Sequence, residues 1–201
     1  MLVTIEGGEG SGKTTLIAYL EGLLQDKGIS YVSTREPGGT PLGERVRDLF
    51  LDRKLHVHRM SELFLILAAR AQHVQDVICP ALDRGDVVIC DRFNDSTVAY
   101  QGYGRGLDID LVKSMCLVAC DHIVPDLTFW LDVPSEVGFK RVQGRPFDRM
   151  EVEEASFHER VRQGFLDLSQ EDRVQRIDAM GSKEDVFASA EEIFWRHFQK
   201  S

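Results

Sequence analysis

The stretch from Gly7 to Thr14 has the residue types and the spacing of a loop that binds the phosphates of a nucleotide. It reads GGEGSGKT and matches the pattern G-x-x-x-x-G-K-[ST]. Glycines allow backbone N–H groups to converge on phosphate oxygens, and the following helix N-terminus adds positive potential. Lys13 would then reach the β- and γ-phosphates, and the Thr14 hydroxyl would bind Mg²⁺. The motif predicts a nucleoside triphosphate site; the alternative is a chance glycine-rich turn.

Charged residues also follow the second and third predicted strands. Arg35 precedes a Pro-Gly-Gly turn, where it either contacts a phosphate or is only solvated. Asp91 ends an apolar strand beside the phosphate loop, a common position for a carboxylate that supports Mg²⁺. Arg92 comes next, where a hydrolytic ATPase often has Glu, and this favours a clamp on a second phosphate. The alternative is a structural ion pair between Asp91 and Arg92.

Two groups of residues could contact a base and a sugar. Thr97, Tyr100 and Gln101 have the i, i+3, i+4 spacing of one helical face, which would line a nucleoside site or lie at a polar surface. Arg70 lies in an apolar helical stretch and needs a partner there. That partner could be a base oxygen, but a neighbouring carboxylate is favoured from this segment alone.

The densest basic stretch, KRVQGRPFDR at 140–149, contains Gly144 and Pro146, which interrupt a helix. We expect a mobile lid at about 141–151, whose arginines neutralise a transferring phosphoryl group and exclude water. The alternative is a solvated charged loop.

The nature of the acceptor follows from a missing feature. The sequence has no His-Arg-Asp loop and no obvious general base, which a hydroxyl acceptor usually requires. A phosphate monoester needs none, because its second pKa of ~6 makes it largely a dianion at neutral pH. A nucleoside monophosphate acceptor therefore fits best. The alternatives are a deoxynucleoside kinase with Glu36 as its base, a GTP-binding switch, which would require an Asn-Lys-x-Asp motif, and a non-catalytic nucleotide-binding module.

The elements that must position these residues alternate along the chain. Apolar runs predict strands at Leu2–Ile5, Tyr31–Thr34, Val87–Cys90, Leu127–Leu131 and Val174–Ile177. Between them, helices are predicted near 13–27, 42–52, 60–84, 108–120, 135–144, 151–171 and 183–199. This alternation predicts an α/β fold, a three-layer sandwich with a five-stranded parallel sheet and helices on both faces. In such sheets ligands bind beyond the carboxyl ends of the strands, where the predicted site residues lie.

Composition narrows the class of protein. A chain of 201 residues with 43% hydrophobic content suits one domain over residues 1–201. A net charge of −9 argues against nonspecific binding to nucleic acids or anionic membranes. The four cysteines show no metal-binding spacing and read as buried free thiols, which suits a reducing cytoplasm. Neither a signal peptide nor a membrane-spanning apolar run is recognisable.

Taken together, these motifs resemble a known family, the bacterial thymidylate kinases, over nearly the whole chain. The matching segments are Gly7–Thr15, Thr34–Gly39, Asp91–Phe93, Ser96–Gly102, Pro125–Thr128 and Leu131–Val133. The resemblance implies a phosphate-loop kinase fold that transfers the γ-phosphoryl group of ATP to dTMP with Mg²⁺, supplying dTTP synthesis. It also implies a homodimer joined through helices, for which the helix near 60–84 is a candidate.

The resemblance further implies a role for each site residue. The ATP contacts would be Gly7, Gly8, Glu9, Gly10, Ser11, Gly12, Lys13, Thr14, Thr15 and Arg141. The residues that contact dTMP would be the following. Glu9 would lie near the 3′-hydroxyl, and Arg35 and Arg92 would bind the phosphate. Arg70, Thr97 and Gln101 would contact thymine, with Ile66 also in the substrate site, and Tyr100 would pack against the sugar. Thr14 and Asp91 would hold the metal ion. The catalytic residues would be Lys13, Arg92, Arg145 and Arg149.

Two positions distinguish this chain within the family pattern. The phosphate loop has no arginine, so the lid arginines Arg141, Arg145 and Arg149 would supply the catalytic one, as in the bacterial arrangement. Ile66 stands where family members often have an aromatic residue that stacks on thymine. Either an aliphatic contact replaces the stacking, or another aromatic such as Phe93 contributes.

Overall fold

The architecture was obtained from a computed structural model, which describes residues 1–144 and 146–199. In this part of the chain a five-stranded parallel sheet has the order β2-β3-β1-β4-β5. The strands are β1 Leu2–Gly7, β2 Tyr31–Arg35, β3 Val87–Asp91, β4 Leu127–Asp132 and β5 Val174–Asp178. All five predicted strands are confirmed, each one or two residues longer at its carboxyl end.

Most helices lie where they were predicted, but some of them differ from the prediction in their bounds or are interrupted. They are α1 Lys13–Asp26, α2 Pro41–Leu51, α3 Arg59–His73, α4 Cys79–Asp83, α5 Asn94–Thr97, α6 Ile109–Ala119, α7 Ser135–Arg141, α8 Ala155–Leu168 and α9 Lys183–Phe198. The single helix predicted near 60–84 is interrupted by a π-helical turn at Val74–Ile78. The helix predicted from 151 begins only at Ala155.

One helical segment was not among the predicted helices. Helix α5 continues into a second π-helical turn at Val98–Gly104, and most of this segment is buried. Its sequence, NDSTVAYQGYG, combines helix-breaking and polar residues, so tertiary packing rather than propensity holds it in place. The π-helical turn is common at functional sites, and here it carries Tyr100 and Gln101.

Alternate residues of the sheet face different layers. Val3 and Ile5 of β1 pack with Leu20 of α1 and Phe194 of α9 in one core cluster. Leu2 on the opposite face packs in a second cluster with Phe93 and its neighbours. This alternation produces the predicted helix–sheet–helix sandwich.

The central position of β1 determines where the site forms. Gly7 at the end of β1 is paired with Leu131 of β4, and Ile5 is paired with Asp91 of β3. Asp91 is paired in turn with Arg35 of β2. The phosphate loop, the Asp91–Arg92 pair and Arg35 therefore meet at one edge of the sheet, as the strand-end rule predicts.

Two further predictions from the sequence concern the state of the cysteines and the presence of membrane-spanning helices. All four cysteines are free thiols; three are buried and Cys79 is partly exposed. Among the described helices, none is both long and apolar enough to cross a membrane.

Candidate active site

The phosphate loop connects β1 to α1 in a conformation that requires glycine. Gly10 and Gly12 have φ values of +66° and +99°, which residues with a Cβ atom rarely adopt. Lys13 is buried, and its Nζ donates hydrogen bonds to the carbonyl oxygens of Gly7 at 3.3 Å and Gly8 at 3.0 Å. Burial lowers the pKa of Lys13, and the charge of Arg92 adds to this effect. The loop thus curls around an ammonium group at the N-terminus of a helix, an arrangement suited to phosphate.

A cleft of about 730 Å³ opens over this loop. The loop residues from Glu9 to Thr15 line it together with Arg141, whereas Gly7 and Gly8, also predicted as ATP contacts, are not among the described residues that line it. Arg141 donates hydrogen bonds to the carbonyl oxygens of Ala179 at 2.9 Å and Gly10 at 3.4 Å. Gly181, just before α9, and Lys183, the first residue of α9, also line the cleft. These residues were not predicted as ATP contacts, because they belong to no recognisable nucleotide-binding motif.

A second cleft of about 520 Å³ meets the first. The two share Glu9, Lys13 and Thr14. All the residues predicted to bind the acceptor line the second cleft, namely Glu9, Arg35, Ile66, Arg70, Arg92, Thr97, Tyr100 and Gln101. Ligands in the two clefts would therefore face each other across the phosphate loop.

Arg92 lies where the two clefts meet. Its guanidinium donates hydrogen bonds to Glu9 at 2.6 Å, to the Gly7 carbonyl at 2.9 Å and to Ser96 at 3.1 Å. It also lies over the Tyr100 ring, 5.2 Å from the ring centroid. Burial raises the pKa of Tyr100 to about 12, so the phenol stays protonated at neutral pH. The alternative weighed from the sequence, a structural ion pair between Asp91 and Arg92, does not form among the described residues; Arg92 pairs with Glu9 instead.

The residues predicted to hold a metal ion fit Mg²⁺ in type and position. Thr14 lines both clefts, and Asp91 lines the second. The Oδ1 atom of Asp91 is buried and accepts no hydrogen bond from the residues that the structure describes. No cluster of three His, Cys, Asp or Glu side chains that could hold a metal ion occurs in the same residues. Proteins usually bind Mg²⁺ through one or two oxygen ligands together with substrate phosphates, and the Thr14 hydroxyl and the Asp91 carboxylate are oxygen ligands of this kind.

Arg70 has the carboxylate partner that the sequence favoured. Its Nε donates to Glu36 Oε2 at 2.7 Å, and its Nη2 donates to Thr97 at 2.9 Å. The other oxygen of Glu36 is 2.9 Å from Nδ1 of His73. Each Glu36 oxygen thus already has one polar partner. Because Arg70 also lines the second cleft, it is held in a fixed orientation beside whatever binds there.

The aromatic residues of the second cleft differ from the family pattern. Ile66 lines the cleft, whereas Phe64 is 55% exposed on the outside of α3. Phe93 and Phe50 also line the cleft, and the Arg70 guanidinium lies 5.1 Å from the Phe93 ring centroid. Phe50 was missed because it reads as an ordinary core residue of α2. Arg47, also in this cleft, was missed because an arginine on an amphipathic helix reads as a surface residue.

The predicted lid arginines lie in different places. Arg141 lines the first cleft, and Arg145 lies outside the described residues. Arg149 is buried, donating to Glu62 at 2.6 Å and to the Phe50 carbonyl at 2.8 Å. Arg149 is not among the described residues that line the first cleft. The structure therefore does not bring Arg149 to the phosphate loop, and its catalytic role stays a prediction.

A parallel sheet with a phosphate loop on its central strand, and a second arginine-lined cleft beside it, defines a phosphate-loop kinase. The family model for thymidylate kinase matches residues 5–190. The chain belongs to the thymidylate kinase family.

Similar proteins support this assignment over nearly the full length. A thymidylate kinase of Carboxydothermus hydrogenoformans is 50% identical over 186 residues, covering 92% of each chain. One from Protochlamydia amoebophila is 46% identical, covering 99% of this chain and 94% of that one. Among solved structures, thymidylate kinase from Ehrlichia chaffeensis is 36% identical, with a TM-score of 0.78 over 96% of this chain and 98% of that chain.

Proposed function

We propose that this chain transfers the γ-phosphoryl group of ATP to the phosphate of dTMP, giving dTDP and ADP and so supplying dTTP synthesis. The observation that carries the proposal is the pair of clefts that share Glu9, Lys13 and Thr14. Membership in the thymidylate kinase family supports the same reaction.

In this reaction the protein mainly positions the substrates and neutralises charge. Lys13 and the loop amides hold the β- and γ-phosphates of ATP, with Arg141 beside them. Arg35 and Arg92 bind the acceptor phosphate, whose oxygen attacks the γ-phosphorus as the bond to ADP breaks. Mg²⁺ held by Thr14 and Asp91 would neutralise the phosphate charge. Arg145 and Arg149 remain candidates for stabilising the transferring group.

The deoxynucleoside of dTMP would occupy the far end of the second cleft. Arg70, Thr97 and Gln101 contact thymine, Ile66 packs against it, and Tyr100 packs against the sugar. Glu9 lies near the 3′-hydroxyl.

The position of Glu36 disfavours a hydroxyl acceptor. As the candidate base for a deoxynucleoside kinase, Glu36 would need an oxygen available to accept a proton. Its Oε2 accepts a hydrogen bond from Arg70 Nε at 2.7 Å, and its Oε1 lies 2.9 Å from Nδ1 of His73. A phosphate monoester, which needs no base, fits this site better.

We also propose that the protein is a cytoplasmic homodimer that binds neither nucleic acid nor membranes. Helices α3 and α6 carry the exposed apolar residues Phe64, Leu111 and Val118, which a partner subunit would cover. Free rather than paired cysteines are consistent with a reducing compartment.

The proposed reaction is tested by ADP release with MgATP and a panel of acceptors: dTMP, dUMP, dCMP, AMP, UMP and thymidine. A strong preference for dTMP is expected. Turnover with thymidine but not dTMP would instead assign the chain to the nucleoside kinases. Equal activity on dUMP and dTMP would show that Ile66 does not replace a stacking aromatic residue in recognising the thymine methyl group.

A further inference from the structure

Glu62 of α3 is a fully buried carboxylate close to the second cleft. It accepts hydrogen bonds from three side chains. Gln101 Nε2 lies 2.8 Å from Oε1, Arg105 contacts each oxygen at 3.1 Å, and Arg149 Nη1 lies 2.6 Å from Oε2. Of the three donors, Gln101 also lines the second cleft.

The surroundings of Glu62 keep it ionised. Burial by itself would raise the pKa of this carboxyl, but hydrogen bonds from Arg105 and Gln101 and the charge of Arg105 outweigh burial and lower it. An ionised carboxylate accepts hydrogen bonds and donates none. Glu62 can therefore face only the donor end of a neighbouring amide.

This restriction fixes the side-chain amide of Gln101. Its NH₂ group must point to Glu62, so its carbonyl oxygen points the other way. Gln101 is 1% exposed, and its Oε1 atom has no hydrogen-bond partner in the described part of the chain. A buried acceptor without a partner is costly unless a ligand supplies a donor.

We propose that Glu62 sets the base specificity of the second cleft by holding the Gln101 amide in this one orientation. The inference rests on the proposed function. A cleft that presents an acceptor at Gln101 and a donor at Arg70 complements thymine, which has a ring N–H beside a carbonyl. Cytosine reverses both groups, with a ring nitrogen that accepts and an amino group that donates. Glu62 is thus a positioning residue that acts through Gln101.

The same geometry gives Arg149 a further role, in addition to the catalytic role proposed above. Arg149 and Arg105 both pair with Glu62, so both stabilise its charge and, through it, the orientation of Gln101. Loss of either arginine should weaken selection of the base, whereas loss of Arg141, which lines the first cleft, should slow phosphoryl transfer with either base.

The test substitutes glutamine for Glu62 and compares kcat/KM for dTMP and dCMP. Glutamine can donate as well as accept, so the Gln101 amide becomes free to turn over. The ratio of kcat/KM for dTMP to that for dCMP should fall by about tenfold to a hundredfold in Glu62→Gln. The matched control is Asp95→Asn, which breaks another buried pair, with Arg173, and makes the same change of charge. That variant should keep the wild-type ratio.

A milder variant keeps the inference testable if Glu62→Gln does not fold. Arg105→Gln removes a partly exposed arginine that lines neither of the two clefts, so far as the described residues show. Its ratio should fall several-fold, with kcat for dTMP changed less than KM. A ratio equal to that of the wild type in the folded variants would overturn the inference. Wild-type protein without preference for dTMP would overturn the proposed function instead.

Discussion

Arg92 adopts a backbone conformation that few residues with a side chain adopt. Its φ is +70°, in the left-handed region. The buried Glu6 accepts hydrogen bonds from the next backbone amide, that of Phe93, at 2.8 Å, and from the hydroxyl of Ser96. Because Ser96 also contacts the Arg92 guanidinium, Glu6 supports Arg92 from beneath the site. Such strain at a site is retained only when the surrounding contacts hold it in place.

The titration of Glu6 should make stability depend on pH. Burial, together with the charge of Asp95, raises the pKa of Glu6 from 4.5 to about 7. Between these two values the folded state binds more protons than the unfolded state, so the contribution of Glu6 to stability declines as pH rises towards 7. Glu6→Gln, which cannot ionise, should therefore gain thermal stability relative to the wild type as the pH rises from 5 to 8.

Melting temperatures measured for both proteins across this range give the comparison. The control is Glu191→Gln, which changes an acid on α9, outside the buried group around Glu6. A difference between wild type and Glu6→Gln that stays constant from pH 5 to 8 would show that Glu6 does not titrate there.

Lys13 provides the most direct test of the phosphate loop. Lys13→Ala removes the ammonium group that faces both clefts, so kcat should fall by at least ~100-fold, a loss typical for a group that stabilises developing charge. Circular dichroism and the melting temperature should show an intact fold. Unchanged turnover in a folded variant would exclude the loop from catalysis.

The site residues at the strand ends could be predicted from the sequence. The residues that only hold a site residue in position could not. The pattern around Lys13 and the Asp91–Arg92 pair could be placed because parallel strands direct their carboxyl ends to one edge. Nothing in the order of residues reveals that Glu6 lies under Arg92 or that Glu62 lies beside Gln101. Those relations arise from packing between distant segments, which a single sequence does not encode in any local pattern.

Helix α7 rests directly on the phosphate loop through a glycine. A Cβ atom at Gly138 would lie 2.1 Å from the carbonyl oxygen of Glu9, a clash with rigid backbone. Gly138→Ala should therefore push α7 away from the loop, lowering the free energy of unfolding by ~1–3 kcal/mol and raising KM for ATP. Urea denaturation and steady-state kinetics would measure both effects.

Gly22→Ala is the matched control, since a Cβ atom there meets nothing within 4 Å. In the middle of α1 this change should stabilise the protein by ~0.5–1 kcal/mol without altering KM. Equal behaviour of the two variants would show that the α7 contact is not tight in solution.

Some helices and strands could be located from patterns in the sequence, whereas others are determined by packing in the folded structure. The five strands were located because apolar runs between turn residues indicate buried parallel strands. The π-helical turns at Val74–Ile78 and Val98–Gly104 were not located. Each is too short to produce a recognisable spacing of apolar residues in the sequence. The start of α8 was placed too early because acidic residues at 151–154 resemble the first turn of a helix.

At the scale of the molecule, the apolar surface of α3 and α6 predicts self-association. Phe64→Asp should convert the proposed dimer into a monomer, because a charge would be buried between subunits. Light scattering coupled to size-exclusion chromatography measures the mass directly. Lys54→Asp, a charge change outside these helices, serves as the control. A wild-type protein that is already monomeric would refute the proposed dimer.

The net charge of the chain and the charges of the second cleft are separate properties. The chain carries a net charge of −9, which disfavours binding to long polyanions. The second cleft is lined by basic and acidic residues alike, and two of its arginines are already paired there, Arg70 with Glu36 and Arg92 with Glu9.

The strand order also has a consequence for synthesis on the ribosome. The strand that carries the phosphate loop is made first, yet both of its neighbours, β3 and β4, are made much later. Until then the nascent β1 has two unpaired edges, which are prone to aberrant pairing. Nucleotide binding should therefore be acquired late in translation, and the growing chain should depend on chaperones until β4 has emerged.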